Sequence, residues 1–478
     1  HYVKIIHTTR DGFPNKFSAM ALDQSHEQNN AMNTERCGVV LKQIYFAVWK
    51  QICLNKMAWQ WLMQQFLMKS HRVDLVWDQM MLCKRGNVSL FQSFTHILAV
   101  ILYLHSLAEE RRQHERYVVL MYDRTSETTV LNLMLPAALV GKVDMWNFPL
   151  AMLTRKAAPA IAAGCSVICK PSEETPFAAL ALAQLAEEAG IPAGVFNVLP
   201  CSRVKSPEVT EVIMSSDLVT NFSFTGSTET GQLMLEKCAK TVKKASMELG
   251  GNAAFIVFDS ADVDAAASNA AASKFRNTGQ ACVATNRILV QDAVYEEFVG
   301  KFVENVRKLV IANGMNEDSD IGPLINARAV EKVERHVSDA KEFGAKVVFG
   351  GKKSELGGSF YEPTVLADAT NDMSVSQEET FGPVAPVIRF KTEEEAVKMA
   401  NGTKFGLAGY IFTQNISQAW RVMEALEVGM VGVNEGLIST EGALFGGVKQ
   451  SGIGREGSKY GIDEFIETKY VCLGGINP

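Results

Sequence analysis

From residue 149 onward the chain alternates short apolar runs with longer alanine- and leucine-rich runs, and this alternation narrows the possible folds most sharply. A helical pattern spans residues 149–163, with Pro149 at its start and Gly164 at its end; proline presets the first helical turn and glycine takes the left-handed stop. Residues 166–169 read as a short buried strand. Thr175 stands where a cap would open a second helix, which stops at Gly190, and residues 195–199 form the next strand. Residues 222–224, 253–258 and 347–349 continue the series. Strands separated by helices predict an α/β fold of parallel sheets covered by helices. No internal repeat or low-complexity segment interrupts it.

Residues 1–143 are built differently. They hold seven of the eight histidines and nine of the nineteen methionines, but four of the 36 glycines and two of the 14 prolines. Turns need glycine and proline, so few elements are punctuated there. Helical spacing shows in places, as over residues 57–68, and the apolar run 90–107 reads as a buried helix because Gln92, His96 and His105 interrupt it. Two readings stay open: a helical domain joined to the rest, or a segment whose residue types do not report its fold.

The length of 478 residues allows two or three lobes. A net charge of −6 gives no electrostatic reason to expect nucleic acid or an anionic membrane surface as a partner. Nine irregularly spaced cysteines suggest free thiols in a reducing compartment. The first residues show no secretory signal pattern, and no metal site is expected.

Four short segments carry chemistry. Cys282 lies in KFRNTGQACVATNR, after a helical stretch and near Arg276; a helix terminus or a nearby cation would lower a thiol's pKa and make it a nucleophile. Glu248 lies in the run SMELGG, where two glycines allow a sharp turn and close approach, so its carboxylate is a candidate general base. Asn147, in MWNFP, could donate its amide to a developing oxyanion, or simply cap the following helix. TGSTETG, from Thr225 to Gly231, follows a strand and opens a helix, an arrangement suited to phosphate. Lys170 and Glu173, at the end of their strand, are placed to hold ribose hydroxyls.

In order, MWNFP, CKPSEETP, FTGSTETG, MELGG, GQAC, EETFGP and FGGVKQSG strongly resemble the aldehyde dehydrogenase superfamily, from about Asp144 to the C-terminus. The resemblance implies an NAD(P)+-dependent oxidoreductase with Cys282 as nucleophile, Glu248 as the base for the deacylating water and Asn147 as oxyanion donor beside the Cys282 N–H. It implies cofactor contacts from Trp146, Lys170, Ser172, Glu173, Gly226, Ser227, Leu249, Glu379 and Phe381. Glu173 favours NAD+, because a carboxylate near the ribose 2′ position repels a 2′-phosphate; Lys170 leaves NADP+ possible.

The likeness is strongest to the succinate semialdehyde dehydrogenases, through KFRNTGQ and the tail NEGLIS…FGGVKQSGIGREGSKYGIDEF. That subfamily implies a substrate carboxylate held by Arg155, Arg276 and Ser439, as charge-assisted donors would hold it. It also implies a part in GABA degradation and a mitochondrial matrix or cytoplasmic location. The alternatives are a longer semialdehyde, a general aldehyde, an acylating enzyme that passes its thioester to coenzyme A, or a non-catalytic structural relative; Glu248 argues for hydrolysis. The sequence departs from the family at Ala284, where a second cysteine often stands, and at Leu444 and Ala254, where proline is usual.

The family's architecture implies a Rossmann-like cofactor domain over residues 1–249, a catalytic α/β domain over 250–447 and a C-terminal segment over 448–478. A small β oligomerisation element would combine residues 118–138 with the strand around Glu467 to Leu473. That strand, ETKYVCL, alternates like an edge strand and needs a partner, so a homodimer or homotetramer is expected.

Overall fold

The computed structural model describes residues 3–6, 118–123, 128–136 and 139–473, with side chains from 139 to 472. The helical readings at 57–68 and 90–107 lie outside the described residues.

A six-stranded sheet runs in the order Gly452–Ile453, Lys244–Glu248, Asn221–Thr225, Leu139–Val143, Ser166–Lys170, Phe196–Val198. All its neighbours are parallel except Gly452–Ile453, which pairs antiparallel with Lys244–Glu248. The chain starts in the middle at Leu139–Val143, builds outward through Ser166–Lys170, then returns to build the other side from Asn221–Thr225. The strand order therefore reverses between Leu139–Val143 and Asn221–Thr225. In open α/β sheets the crevice outside the strand ends at such a point receives ligands.

A seven-stranded sheet follows, ordered Lys346–Phe349, Thr364–Ala369, Val384–Phe390, Thr285–Gln291, Ala253–Val257, Ala408–Phe412, Met430–Val433. The period of two along a strand is clear in Ala253–Val257. Ala253, Phe255 and Val257 pack with Phe298 and Phe302 of the helix Tyr295–Arg307, while Ala254 and Ile256 join the cluster that holds Val333 and Val337 of the helix Ala327–Glu342. Both faces being covered, the strand has no polar residue to spare. The edge strand Lys346–Phe349 corrects the expectation of parallel pairing throughout. It runs antiparallel to Thr364–Ala369, a common arrangement where the outermost strand of a parallel sheet needs no crossover helix.

The remaining strands form an antiparallel sheet in the order Val3–Ile6, Val118–Asp123, Thr128–Pro136, Ile466–Leu473. Ile466–Leu473 is thus an outer strand, paired on one side along its whole length.

Helix starts follow local chemistry. Asp262, Asn326, Thr392 and Asn415 each accept a hydrogen bond from the backbone N–H three residues on. Thr175 holds the N-cap position of Pro176–Glu188 without doing so, and its buried hydroxyl finds no hydrogen-bond partner among the described residues. Among the described residues no helix is long and apolar enough to cross a membrane.

Candidate active site

The helix Val263–Phe275 ends in a tight turn, Arg276–Gly279, where Asn277 and Thr278 take left-handed conformations at φ 51° and 60°. Cys282 follows, three residues before the buried strand Thr285–Gln291. Three groups from distant segments fix this loop. Asn147 Nδ2 donates to the Gln280 carbonyl at 3.0 Å, Asn277 Nδ2 donates to the Asn147 carbonyl at 3.1 Å, and Tyr410 Oη donates to the Val283 carbonyl at 2.6 Å. Asn147 is therefore not a helix cap. One of its two amide hydrogens is engaged with the nucleophile loop, which leaves the other for an acceptor beside Cys282.

The Gly250–Gly251 turn brings the remaining chemistry to that loop. A Cβ on Gly251 would lie 2.2 Å from the Cys282 carbonyl oxygen, so only glycine allows this approach. The Gly251 N–H donates to Glu379 Oε1 at 2.9 Å, and a Cβ on Gly250 would lie 2.9 Å from Glu379 Oε2. Just before the turn, Glu248 ends its strand, 4% exposed, and among the described residues neither carboxylate oxygen is hydrogen-bonded. Burial pushes its pKa up to about 8, against the pull of Lys156, Arg155 and Arg455. Gly446, at φ 153°, leaves space for it: a Cβ there would come within 2.9 Å of Glu248 Oε1.

Behind Glu248 lies a buried pair that sequence reasoning missed. Lys156 and Glu456 form an ion pair with both side chains at least 95% covered. Burial lowers Lys156 to about 7, and Glu248 is the strongest of the charges opposing that fall. The signal was present in the sequence: a lone lysine in the alanine-rich helix Ala151–Ala163 has to be explained.

The expected lowering of the Cys282 pKa is overturned. Burial, reinforced by Glu379 and Glu248, pushes the thiol up to about 12, and Arg155 opposes only in part. Desolvation and two nearby carboxylates outweigh one cation.

On the other side of the loop lie the residues assigned to the cofactor. Ser227 caps the helix Thr228–Ala239 through a 3.3 Å bond from the Thr230 N–H. Gly226 donates to the Glu248 carbonyl at 3.0 Å, and Leu249 donates to the Ser451 carbonyl at 2.9 Å. Lys170 and Glu173 form an ion pair at 3.7 Å, and Ser172 accepts from the Glu174 N–H at 3.3 Å. Trp146 meets the edge of Phe381 with ring centroids 5.5 Å apart, which joins the segment before the first helix to the segment after Glu379. Glu379 is half-buried, and desolvation raises it to about 7 while its Gly251 hydrogen bond pulls the other way. Trp146, Ser172, Gly226 and Ser227 all follow the strands Leu139–Val143, Ser166–Lys170 and Asn221–Thr225, at the reversal of strand order. A helix N-terminus there suits a pyrophosphate, and the Lys170–Glu173 pair suits ribose hydroxyls, so these residues fit a dinucleotide.

On the third side a cavity is lined by Cys282, Arg155, Arg276 and Ser439, with Phe148, Tyr410 and Phe445 completing its wall. Among the described residues neither arginine has a carboxylate within ion-pair distance, and Arg155 Nη1 is buried without a hydrogen-bond partner. Phe148 and Phe445 lie inside the motifs MWNFP and FGGVKQSG, but nothing in those motifs states that their rings face the cavity.

A half-buried thiol, an unbonded buried carboxylate and an asparagine amide, gathered beside a dinucleotide-type crevice, define an oxidoreductase that works through a cysteine adduct. The chain belongs to the aldehyde dehydrogenase family, whose model matches residues 42–471. The succinate-semialdehyde dehydrogenase of rat mitochondria is 56% identical over 381 residues, 80% of this chain and 72% of the relative. The human mitochondrial enzyme of that name is 54% identical over 388 residues, 81% of this chain and 72% of the relative. Among solved structures, a succinate-semialdehyde dehydrogenase from Burkholderia pseudomallei has a TM-score of 0.76 at 48% identity, over 80% of this chain and 78% of that one. An NADP-dependent enzyme from Escherichia coli reaches 0.77 at 48% identity over the same shares. The fold is the family's mixed α/β fold, and the enzyme class is an NAD(P)-dependent aldehyde dehydrogenase.

Proposed function

We propose that this chain oxidises succinate semialdehyde to succinate with NAD+. The observation that carries the reading is the pair Arg155 and Arg276, two cations without carboxylate partners on the wall of the Cys282 cavity, with Ser439 beside them. A charge removed from water without a partner is costly. A substrate carboxylate entering this cavity supplies the partner, and its short chain sets the aldehyde carbon beside the thiol. The relatives named for this substrate support the same reading.

Cys282 gives up its proton to solvent and the thiolate attacks the aldehyde carbon, while Glu248, whose raised pKa suits it to exchange protons near neutrality, is kept for the water step. The Asn147 amide and the Cys282 N–H hold the oxygen of the thiohemiacetal; losing one such donor typically costs about 100- to 1,000-fold in rate. A bound nicotinamide supplies the acceptor for the hydride that leaves this carbon. Glu248 then takes a proton from water, hydroxide adds to the thioester, and the Cys282 thiolate departs as succinate is released. Lys156 and Glu456 give Glu248 a buried outlet for its proton.

Glu173 supports NAD+ through repulsion of a 2′-phosphate. Lys170, paired with it at 3.7 Å, offsets part of that repulsion, so NADP+ is the comparison to run. The cofactor lobe to residue 249, the catalytic lobe to 447 and the C-terminal segment remain our division of the chain. Ile466–Leu473, an outer strand with Tyr470 63% exposed, supports a homodimer or homotetramer; a monomer by light scattering at micromolar concentration would refute it. The mitochondrial relatives support a matrix location.

The test is absorbance of reduced nicotinamide with succinate semialdehyde and each cofactor in turn. Reduction lost in Cys282→Ala and weakened in Arg155→Ala or Arg276→Ala supports the nucleophile and the substrate together. Turnover only with uncharged aldehydes keeps the family and overturns the carboxylate grip.

A further inference from the structure

Both arginines of the cavity rest on aromatic faces. The Arg155 guanidinium lies over the Phe445 ring, 4.4 Å from its centroid, and that of Arg276 lies over Phe148 at 5.4 Å. These rings stand where a surface arginine would have a carboxylate. A carboxylate there would neutralise the cation and compete with the substrate. The negative face of an aromatic ring steadies the guanidinium plane and leaves its N–H edge free. Burial weakens the hold of each arginine on its proton, so each gains from the contact.

Phe445 is itself fixed. It is 5% exposed, and it exchanges two backbone hydrogen bonds with Glu456, each 2.7 Å. The Glu456 side chain pairs with Lys156, the residue after Arg155. Two adjacent residues of one helix are thus held by two residues that face each other across an antiparallel bridge. One contact serves the proton outlet of Glu248, and the other aims a cation at the substrate.

We propose that Phe445, with Phe148 as its counterpart, is a specificity-determining positioning residue that holds a cavity arginine by its aromatic face and so favours aldehydes bearing a distal carboxylate. The inference rests on the succinate semialdehyde reading. It predicts that the rings govern discrimination between charged and uncharged substrates more than they govern rate.

The experiment compares kcat/KM for succinate semialdehyde and for butyraldehyde, which has the same chain length without the carboxylate, in the full-length enzyme. In Phe445→Leu the ratio of the two should fall by about 5- to 30-fold, the range of a desolvated cation–π contact, on top of whatever loss both substrates share. Phe445→Tyr keeps the face and should keep the ratio within about twofold of the parent. Equal losses on both substrates in Phe445→Leu, or an equal fall of the ratio in Phe445→Tyr, would overturn the proposal. Should Phe445→Leu fail to fold, Phe148→Leu carries the same test, and an unchanged ratio there overturns it. A parent enzyme with no preference for succinate semialdehyde defeats the substrate reading before any variant is made.

Discussion

On one side of the Gly250–Gly251 turn lies Glu248, and on the other lies Glu379. Glu248 is buried and Glu379 half-buried, and desolvation raises both, to about 8 and about 7. Their bonding differs. Glu379 accepts from the Gly251 N–H, and Lys332 donates to its carbonyl. Glu248 makes no side-chain hydrogen bond and faces a glycine that keeps space open before it. A carboxylate tied to the backbone has one orientation and suits a ligand that must be placed. One left unbonded in a dry site costs stability but can pass a proton in either direction. The turn thus separates an anchoring carboxylate from a working one, with the Cys282 loop between them.

Substitution of each by its amide is the sharpest way to break that comparison. Glu248→Gln should lower steady turnover by about 100- to 10,000-fold, the range of general base catalysis, yet leave a burst of reduced nicotinamide in the first turnover. Equal loss of burst and turnover would remove the assigned role. Glu379→Gln retains an acceptor for the Gly251 N–H, so its effect should be smaller. We expect about a tenfold rise in the KM for cofactor, the scale of one charge-assisted hydrogen bond, and a slower burst. If the two variants behave alike in rapid-mixing experiments, the turn does not divide the two tasks.

Lys156→Met examines why Glu248 can work at all. Lys156 is the strongest charge opposing the rise of the Glu248 pKa. Its loss should move the rise of turnover with pH upward by about one unit, since a neighbouring cation typically lowers a carboxyl pKa by 1–3 units. The parent should gain rate as pH climbs through about 8, where Glu248 loses its proton and becomes a base. An unshifted profile would mean that another group limits the reaction.

The parallel sheets and their alternating helices were legible because strand, turn and helix each leave a local signature, as at Gly164 and in the run 253–258. The seven motifs placed Cys282, Glu248 and Asn147 near one another only through likeness to a family; no spacing in the chain brings residues 147, 248 and 282 together. The Lys156–Glu456 pair stayed hidden although Lys156 stands out in an alanine-rich helix, since its partner is 300 residues away in sequence and nothing local points to it. The high pKa of Cys282 was missed for a related reason. A nearby arginine is visible in KFRNTGQAC, but the two carboxylates that raise the thiol come from residues 248 and 379. The antiparallel edge at Lys346–Phe349 could not be read either, because a strand's own residues do not state its direction.

The smallest effect bears on the same two carboxylates through stability. Each holds its proton in the folded enzyme at pH values where the unfolded chain, near 4.5, has released it. Fewer protons are then bound by the unfolded state, so each carboxylate's contribution to stability falls as pH rises from that value. The fall stops once the folded group also ionises. Buried Lys156 and Lys274, both lowered to about 7, act with the opposite sign above that pH, because the unfolded chain keeps protons that they have lost. Single amide variants remove this overlap. The stability of Glu248→Gln relative to the parent should climb with pH up to about 8, by no more than about 1.4 kcal/mol per pH unit, the limit for one proton. That of Glu379→Gln should level off nearer 7. Melting temperatures of the parent and both variants, taken at matched pH steps, measure the two plateaus. A difference flat across pH for Glu248→Gln would show that this carboxyl is ionised throughout, and the distinction between an anchored and a proton-passing carboxylate would then rest on geometry alone.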